Sequence, residues 1–571
     1  MTVQRHGDLD RYGDWVGAHD TLNDEDRRDI RKHIRRMGRL PLFSIVQLPA
    51  ADGRLTFASA SIASVQKQLY PYWELWLTAI PTGIDVGSDA RFRMLSMPAE
   101  RDFGTRFNAA LAQVEGDFVL PLPGNARLAE SALYEVAVAI SEASEVDLLY
   151  TDEDQVNATG ERRKPHFKTG WDPDLALGRD AIGLLVAYRK ELLRQVNGMT
   201  PRINSIMMTL YDLSLRVAFA IPPHHICHIP AVLCHRTADG GGAACWDADV
   251  ARQIVRAQLR ESNERTSVVP APLAPCWNRV IRELPDPQPP VSIIVPTRDH
   301  AELLERCAAS VLSGTNYCSI ELIIVDNDSQ EPAALQLLNR LSQHSCVRIL
   351  QYRHPFNYAA QNNLAAHEAK GDVLVLLNND TEALTPDWLR EMVSHALRPD
   401  VGAVGAKLVY PDQRIQHGGM VLGPGVWPQH QLRFADRAGT GPFGELALTR
   451  TVSIVTGACL ALRKAVFFEV GGLDEQLKAS FNDIDLCMRI GDCGYRIIWS
   501  PFAELLHVES VSRGPDDTLE KRAMTECEIQ HFWRSWRSLR NSDPFHNPNL
   551  VYGWDSLNLS WPPRRKPPWR G

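Results

Sequence analysis

Three stretches in the second half of this chain end in small polar and acidic residues: Pro296-Thr-Arg-Asp299, Asp326-Asn-Asp-Ser329 and Asn378-Asn-Asp380. A carboxylate at Asp326 can accept hydrogen bonds from a base or a ribose. One at Asp380 can hold a hard divalent cation, which in turn neutralises a diphosphate. Farther on, Asp483 and Asp485 stand just before the apolar positions Leu486, Met488 and Ile490. Helix starts attract acids for capping reasons, so one acid is expected toward a site and the other toward the backbone. His507 opens Val-Glu-Ser-Val-Ser-Arg-Gly514, a loop whose groups suit a phosphate. Each motif is weak alone, since Asp and Asn also favour ordinary turns.

These groups meet only if a sheet gathers them. Strands are expected over Val291–Pro296, Glu321–Val325, Val347–Tyr352 and Asp372–Leu377, with helices over Ala301–Leu312, Pro332–Leu341 and Asn357–Ala369. Near-continuous apolar strands alternating with helices imply an α/β fold with a parallel sheet covered on both faces. Ligands then bind beyond the carboxyl ends of the strands. Ahead of this region, Leu284-Pro-Asp-Pro-Gln-Pro-Pro290 has too many prolines for helix or central strand and reads as a linker.

The first half repeats the second in weakened form. Phe43-Ser-Ile-Val46 matches Val291-Ser-Ile-Ile294, and residues 107–119 match 362–374 at one constant offset. Tyr211-Asp-Leu-Ser-Leu-Arg216 matches Ile484-Asp-Leu-Cys-Met-Arg489. Two tandem α/β domains of one kind are therefore expected. By position, Asp380 corresponds to Asn125, Asn378 to Pro123 and Asp483 to Leu210, while His235 survives near the place of His507. An amide anchors a divalent cation poorly and leucine takes no proton, so the first domain is expected to be catalytically dead. Its acidic cluster at Asp152-Glu-Asp154 reads as a turn of solvated acids. Its job is then docking, acceptor binding or oligomer contacts.

A chain of 571 residues exceeds one ordinary core. The net charge of −8 gives no reason to expect nucleic acid. No apolar run reaches the length of a membrane span, and the N-terminus lacks the apolar core of a secretory signal. The 11 scattered cysteines suggest reduced thiols in a cytoplasmic protein. Arg27, Arg28, Arg31, Lys32, Arg35, Arg36 and Arg39 follow Asp24-Glu-Asp26, with Ile30, Ile34 and Met37 at helical spacing. Such a helix suits an anionic membrane surface. The reading preferred here is a solvated helix whose narrow apolar stripe packs on the next domain.

Together, Val-Ser-Ile-Ile-Val-Pro-Thr297, Val-Asp-Asn-Asp-Ser329, Leu-Leu-Asn-Asn-Asp-Thr381, Thr456-Gly-Ala-Cys-Leu460, Val470-Gly-Gly-Leu-Asp-Glu475, Phe-Asn-Asp-Ile-Asp-Leu-Cys487 and His507-Val-Glu-Ser-Val-Ser-Arg-Gly514 resemble glycosyltransferase family 2. The similarity is greatest to rhamnosyltransferase-like members of bacterial O-antigen or capsule synthesis. The tail Ser542-Asp-Pro-Phe-His-Asn-Pro-Asn-Leu550 also resembles their C-terminal segment.

That resemblance implies tandem GT-A domains, the first degenerate, and a C-terminal helical extension. The expected division is 1–40 basic helical segment, 41–275 degenerate domain, 276–290 linker, 291–514 catalytic domain and 515–571 helical extension and tail. It also implies an inverting, metal-dependent sugar transfer. Asp380 would ligate Mn²⁺ or Mg²⁺, and His507 would help hold the metal or diphosphate. Asn378 would face the ribose and Asp326 the nucleoside, with Thr297, Asn363, Asn379 and Gly457 as further donor contacts. Asp483 would be the general base.

The expected partners are a UDP-, dTDP- or GDP-sugar and a glycan or lipid-linked acceptor. Peripheral contact with the inner membrane face and homo-oligomer formation fit the same reading. A rival is a non-catalytic scaffold of a glycan-assembly complex, which retention of Asp380, Asp483 and His507 opposes. A nucleotidyltransferase would carry a Gly-rich loop after the first strand, and Pro296-Thr-Arg-Asp-His300 lacks one.

Overall fold

The computed structural model describes residues 11–48, 55–77, 89–95, 102–203, 205–237, 246–260, 265–423, 426–509, 518–536, 543–552 and 558–570. In the second half, Val347–Gln351, Ile320–Asp326, Val291–Thr297 and Val373–Leu377 pair in that order, all parallel. Val291–Val295 and Val373–Leu377 are buried throughout, so strands apolar on both faces lie between two layers of helix. Beyond Val373–Leu377 the sheet becomes mixed. It continues through antiparallel Cys459–Arg463, then Val401–Val409, Arg496–His507 and the short edge strand Thr381–Ala383.

The first half lays out its strands in the same sequence of roles. The order is Phe92–Met94, Trp73–Leu77, Phe43–Gln47, Phe118–Leu122, Val186–Arg189, Leu148–Val156, Ile226–Thr237 and Ala126–Leu128. Small polar devices recur too. Ser44 Oγ donates to Glu74 and accepts from the Gly116 N–H, as Ser292 does with Glu321 and Gly371. Arg216 pairs with Asp212 and caps the Val196 carbonyl, as Arg489 pairs with Asp485 and caps Val470. Both glycines after those carbonyl-bearing loops, Gly198 and Gly472, have positive φ. Each meets an asparagine side chain where a Cβ would sit.

The structure departs from two expectations. Asp152-Glu-Asp154 is no solvated turn but part of the strand Leu148–Val156, with Asp152 and Asp154 buried. Asp152 meets His228 at 2.8 Å and Asp154 meets His235 at 2.7 Å. The acids sit on a central strand because neighbouring elements supply partners, which a local sequence window does not reveal. Second, an antiparallel hairpin of Thr266–Ala271 and Ala274–Arg282 runs across the expected boundary at 275/276. Its prolines, Pro270 and Pro275, disguise it, and a two-stranded ribbon tolerates them at unpaired edges. Strand register keeps His235 one residue from the position of His507, which Arg236 takes. Ala126 pairs with Arg236, as Thr381 pairs with His507.

The basic segment forms the helix Asp24–Ile34 behind a capping box of Asn23 and Asp26. Ile30 and Ile34 enter the core of the first half, and Arg27 meets Glu130 at 2.9 Å. Arg28, Arg31, Lys32 and Arg35 stay exposed on the opposite face. The C-terminal helix Leu519–Ser535 packs on the second half through Phe532. The tail returns to the first half, where Asn547 donates to Asp152 and Trp569 to Asp26. The halves also meet directly: Asp172 accepts from the Thr451 N–H, and Asp174 meets Arg398 and Arg496.

Candidate active site

The strand Val373–Leu377 ends in Asn378, Asn379 and Asp380, and the chain then turns into the edge strand Thr381–Ala383. The turn is held by its backbone: the Asn378 N–H donates to Ala458, and the Thr381 hydroxyl to the Asn378 carbonyl. Register sets His507 opposite Thr381, and the Val508 N–H donates to the Asp380 carbonyl. His507 Nε2 consequently lies 3.1 Å from Asp380 Oδ1. Asp380 is 5 % exposed, and its Oδ1 has no hydrogen-bond partner among the described residues. A buried carboxylate oxygen without a donor is costly unless something cationic faces it.

Asp483 approaches from the helix Asn482–Asp492. Phe481 ahead of it has φ 64°, a left-handed conformation costly for an aromatic residue. The Gly457 N–H donates to Asp483 Oδ2 at 2.8 Å, and the Ile484 N–H to Oδ1 at 2.8 Å. The Tyr358 hydroxyl donates to the Gly457 carbonyl. A Cβ at Gly457 would come within 3.4 Å of Asp483 Cβ and 3.5 Å of Tyr358 Oη. Burial raises the Asp483 carboxyl above the ordinary range, against the two backbone donors and Thr456. Tyr358 is also raised, first by burial, then by the charges of Asp483 and, more weakly, Asp380. One tyrosine thus senses both carboxylates.

Other expected residues occupy this edge in different ways. Asn379 Nδ2 donates to Thr297 Oγ1 at 3.0 Å, tying the first strand's end to the Asp380 turn. Both are buried. Asp326 is 2 % exposed. It accepts from the Ser329 N–H and hydroxyl and from Gln351, so it holds the 326–329 turn rather than projecting from it. Asn363 clasps the scaffold. Its amide is occupied by the backbone of Leu473 and the side chain of Glu475. Asn108 makes the same clasp on Met199 in the first half. One structural job thus repeats in both halves. The acids of the helix divide otherwise than expected: Asp483 takes backbone donors, while Asp485 goes to Arg489 and Trp536. Residues 510–514 of the expected phosphate loop lie outside the described residues.

Several supporting groups escape a reading by motif. The Glu528 carboxylate, on the C-terminal helix, accepts from the N–H groups of Ala479 and Ser480 just before Asp483. Gln416 Oε1 lies 2.7 Å from His507 Nδ1. Nothing in their local sequence marks either residue, since the helix and strand that carry them come from distant segments.

The residues at Asp380 fit a divalent cation. The donors are one carboxylate and one imidazole, and the carboxylate oxygen is orphaned. Among the described residues no cluster of three His, Cys, Asp or Glu side chains suits a metal. An incomplete protein shell of this kind matches Mg²⁺- and Mn²⁺-type sites that take remaining ligands from phosphate and water.

Residues 292–471 match the family model described as Glycosyl transferase family 2. An uncharacterized protein y4gI of Sinorhizobium fredii is 36% identical over 547 residues, covering 93% of this chain and 60% of that protein. The O-antigen biosynthesis protein RfbC of Myxococcus xanthus is 35% identical over 543 residues, covering 91% of this chain and 41% of that protein. The chain thus spans less than two thirds of the length of both. The N-acetylglucosaminyl-diphospho-decaprenol L-rhamnosyltransferase of Mycobacterium tuberculosis is 30% identical over 236 residues, covering 37% of this chain and 74% of that enzyme. Among solved structures, a mannosyltransferase from Pyrobaculum calidifontis with GDP-Man and Mn²⁺ overlaps 47% of this chain and 70% of its own, at TM-score 0.35 and 20% identity. Carrying the family's match across its second sheet, this chain belongs to glycosyltransferase family 2 and is rhamnosyltransferase-like in sequence.

Proposed function

We propose that the second half of the chain transfers a sugar from a nucleotide-sugar donor to a hydroxyl of a growing bacterial surface polysaccharide, with inversion and with help from a divalent cation. The observation that carries this reading is that Asp380, paired with His507, and Asp483, held by Gly457, both act on the Tyr358 hydroxyl. Asp380 and His507 would hold Mn²⁺ or Mg²⁺. Bound there, the cation supplies positive charge for the departing diphosphate. Asp483 takes the proton of the acceptor hydroxyl as that oxygen attacks the anomeric carbon. Gly457 and Ile484 hold the carboxylate in place, and its burial raises its proton affinity toward that task. Asn378 faces the ribose. Asn379 and Thr297 keep the strand ends in register, and Asp326 shapes the nucleoside end through the Ser329 turn.

The names of the relatives support a glycan product, and the donor sugar and linkage belong to loops outside the shared motifs. We assign no transfer chemistry to the first half, where Asn125, Leu210 and Arg236 stand in the three key places. The outer face of Arg28, Arg31, Lys32 and Arg35 suits a peripheral approach to an anionic membrane on the cytoplasmic side. No helix among the described residues is long and apolar enough to cross a membrane. Incubation with UDP-, dTDP- and GDP-sugars, with and without Mn²⁺, tests the reading. Nucleotide release from one donor that depends on Mn²⁺ is expected. No release and no nucleotide binding across the panel would favour a scaffold.

A further inference from the structure

Residues Ile415–His417 form a three-residue strand that pairs with the end of Val401–Val409. Leu408 pairs with His417 and Val409 with Ile415, so Gln416 is the extra residue of a bulge. Bulges re-aim a side chain without breaking the sheet around it. Here the 3 %-exposed Gln416 side chain is aimed at the imidazole of His507.

The amide's direction follows from its other neighbour. Glu509 lies at the far end, fixed by the Tyr410 hydroxyl at 2.6 Å and by Arg433 at 3.0 Å. The Gln416 side chain and His507 both face that carboxylate. Gln416 Nε2 makes no hydrogen bond of full geometry. A carboxylate accepts and cannot donate, so the amide turns its NH₂ toward Glu509 and its oxygen toward His507. An amide oxygen only accepts, so His507 Nδ1 carries the proton across the 2.7 Å contact. In the neutral ring Nε2 is then bare. It faces Asp380 Oδ1 at 3.1 Å, and that oxygen has no donor.

We propose that Gln416 is a positioning residue for His507, holding it in the Nδ1–H tautomer so that Nε2 and Asp380 turn two lone pairs toward one cation. The proposal rests on the reading of Asp380 and His507 as the cation site. Without Gln416, the ring is free to protonate Nε2 instead and donate to Asp380. That hydrogen bond would occupy both atoms and close the site. The line Tyr410 and Arg433 to Glu509 to Gln416 to His507 therefore keeps a buried carboxylate open.

The tautomer is readable in the metal-free full chain by ¹⁵N-histidine NMR above the ordinary histidine pKa, with the His507 signal assigned by its loss in His507→Asn. The expected wild-type signal is the Nδ1–H form. A wild-type Nε2–H form overturns the proposal without any further variant. Gln416→Leu should shift the signal to the Nε2–H form and weaken Mn²⁺ binding, read by electron paramagnetic resonance, by about 10- to 100-fold. Gln416→Glu, which restores an acceptor, should return both the tautomer and the affinity. Unchanged tautomer and affinity in Gln416→Leu, or no rescue by Gln416→Glu, overturns the proposal. Failure of wild type to bind Mn²⁺ overturns the cation reading instead, because the tautomer is judged without metal.

Discussion

The two halves share strand order, the Ser–Glu–Gly clasp at the first strand, the Asn clasp and the Asp–Arg pair on the helices Ile206–Phe219 and Asn482–Asp492. They differ where the second half gathers unpaired or strained groups. Asp380 is replaced by Asn125, Asp483 by the buried Leu210, and His507 by Arg236. What repeats is therefore scaffold, and what does not repeat is chemistry. The first half also turns acidic residues to structural use. Asp154 is closed off by His235, Tyr12 and Arg162, whereas Asp380 keeps an oxygen open. A carboxylate enclosed by a cation and side-chain partners, as Asp154 is, has no free oxygen for a metal, so partners separate Asp154 from Asp380 more sharply than residue type does.

The comparison breaks first at the base. Asp483→Asn should lower the transfer rate by about 100- to 10,000-fold and leave Mn²⁺ binding intact. Leu210→Ala in the other half should leave the rate per folded molecule unchanged and cost about 2–5 kcal/mol of stability in urea melts. Full activity in Asp483→Asn removes the assignment. Next, copying the first half into the second should cost metal. Asp380→Asn and, less severely, His507→Arg should weaken Mn²⁺ binding by about 100-fold or more, since each removes a ligand that supplies several kcal/mol of charge stabilisation. Mn²⁺ titrations that match wild type would erase the distinction between the halves.

A smaller effect concerns the shared scaffold. Asn363→Ala and Asn108→Ala should each lower stability by about 1–3 kcal/mol, because each leaves buried backbone groups without partners. Donor KM should stay unchanged in both. A selective rise of donor KM in Asn363→Ala would return that residue to the site. The mildest test is pH. Raising of the Asp483 carboxyl by burial means the base protonates at a higher pH than an ordinary carboxylate. Activity should therefore fall as pH drops through that raised value and be full above it, in a kcat–pH profile corrected for folding. An inflection at or below the ordinary carboxylate range contradicts the assignment.

Much of the scaffold was legible from residue order alone. The helix Ala301–Leu312 and the strand starting at Val291 follow from apolar spacing, and the offset between residues 107–119 and 362–374 foretold the repeat. Asp380, Asp483 and His507 stood out because their motifs were ordered along the chain. At Asn363 a matched position carries no mark of whether it clasps a loop or a ligand, and only the structure shows the loop clasp. The offset brought His235 near the place of His507, and only strand pairing shows that Arg236 takes that place.

Periodicity and residue type, which are local, determined by themselves the alternating α/β pattern, the tandem repeat and which acids each half keeps or lacks. The tertiary structure alone decided which of those acids are available. Hydrogen-bond partners arrive from remote segments: His228 and His235 close the acids of the first half, while a bulge 91 residues from His507 turns Gln416 toward its ring. Availability depends on burial and on every neighbouring donor, and those are set only when the sheets close.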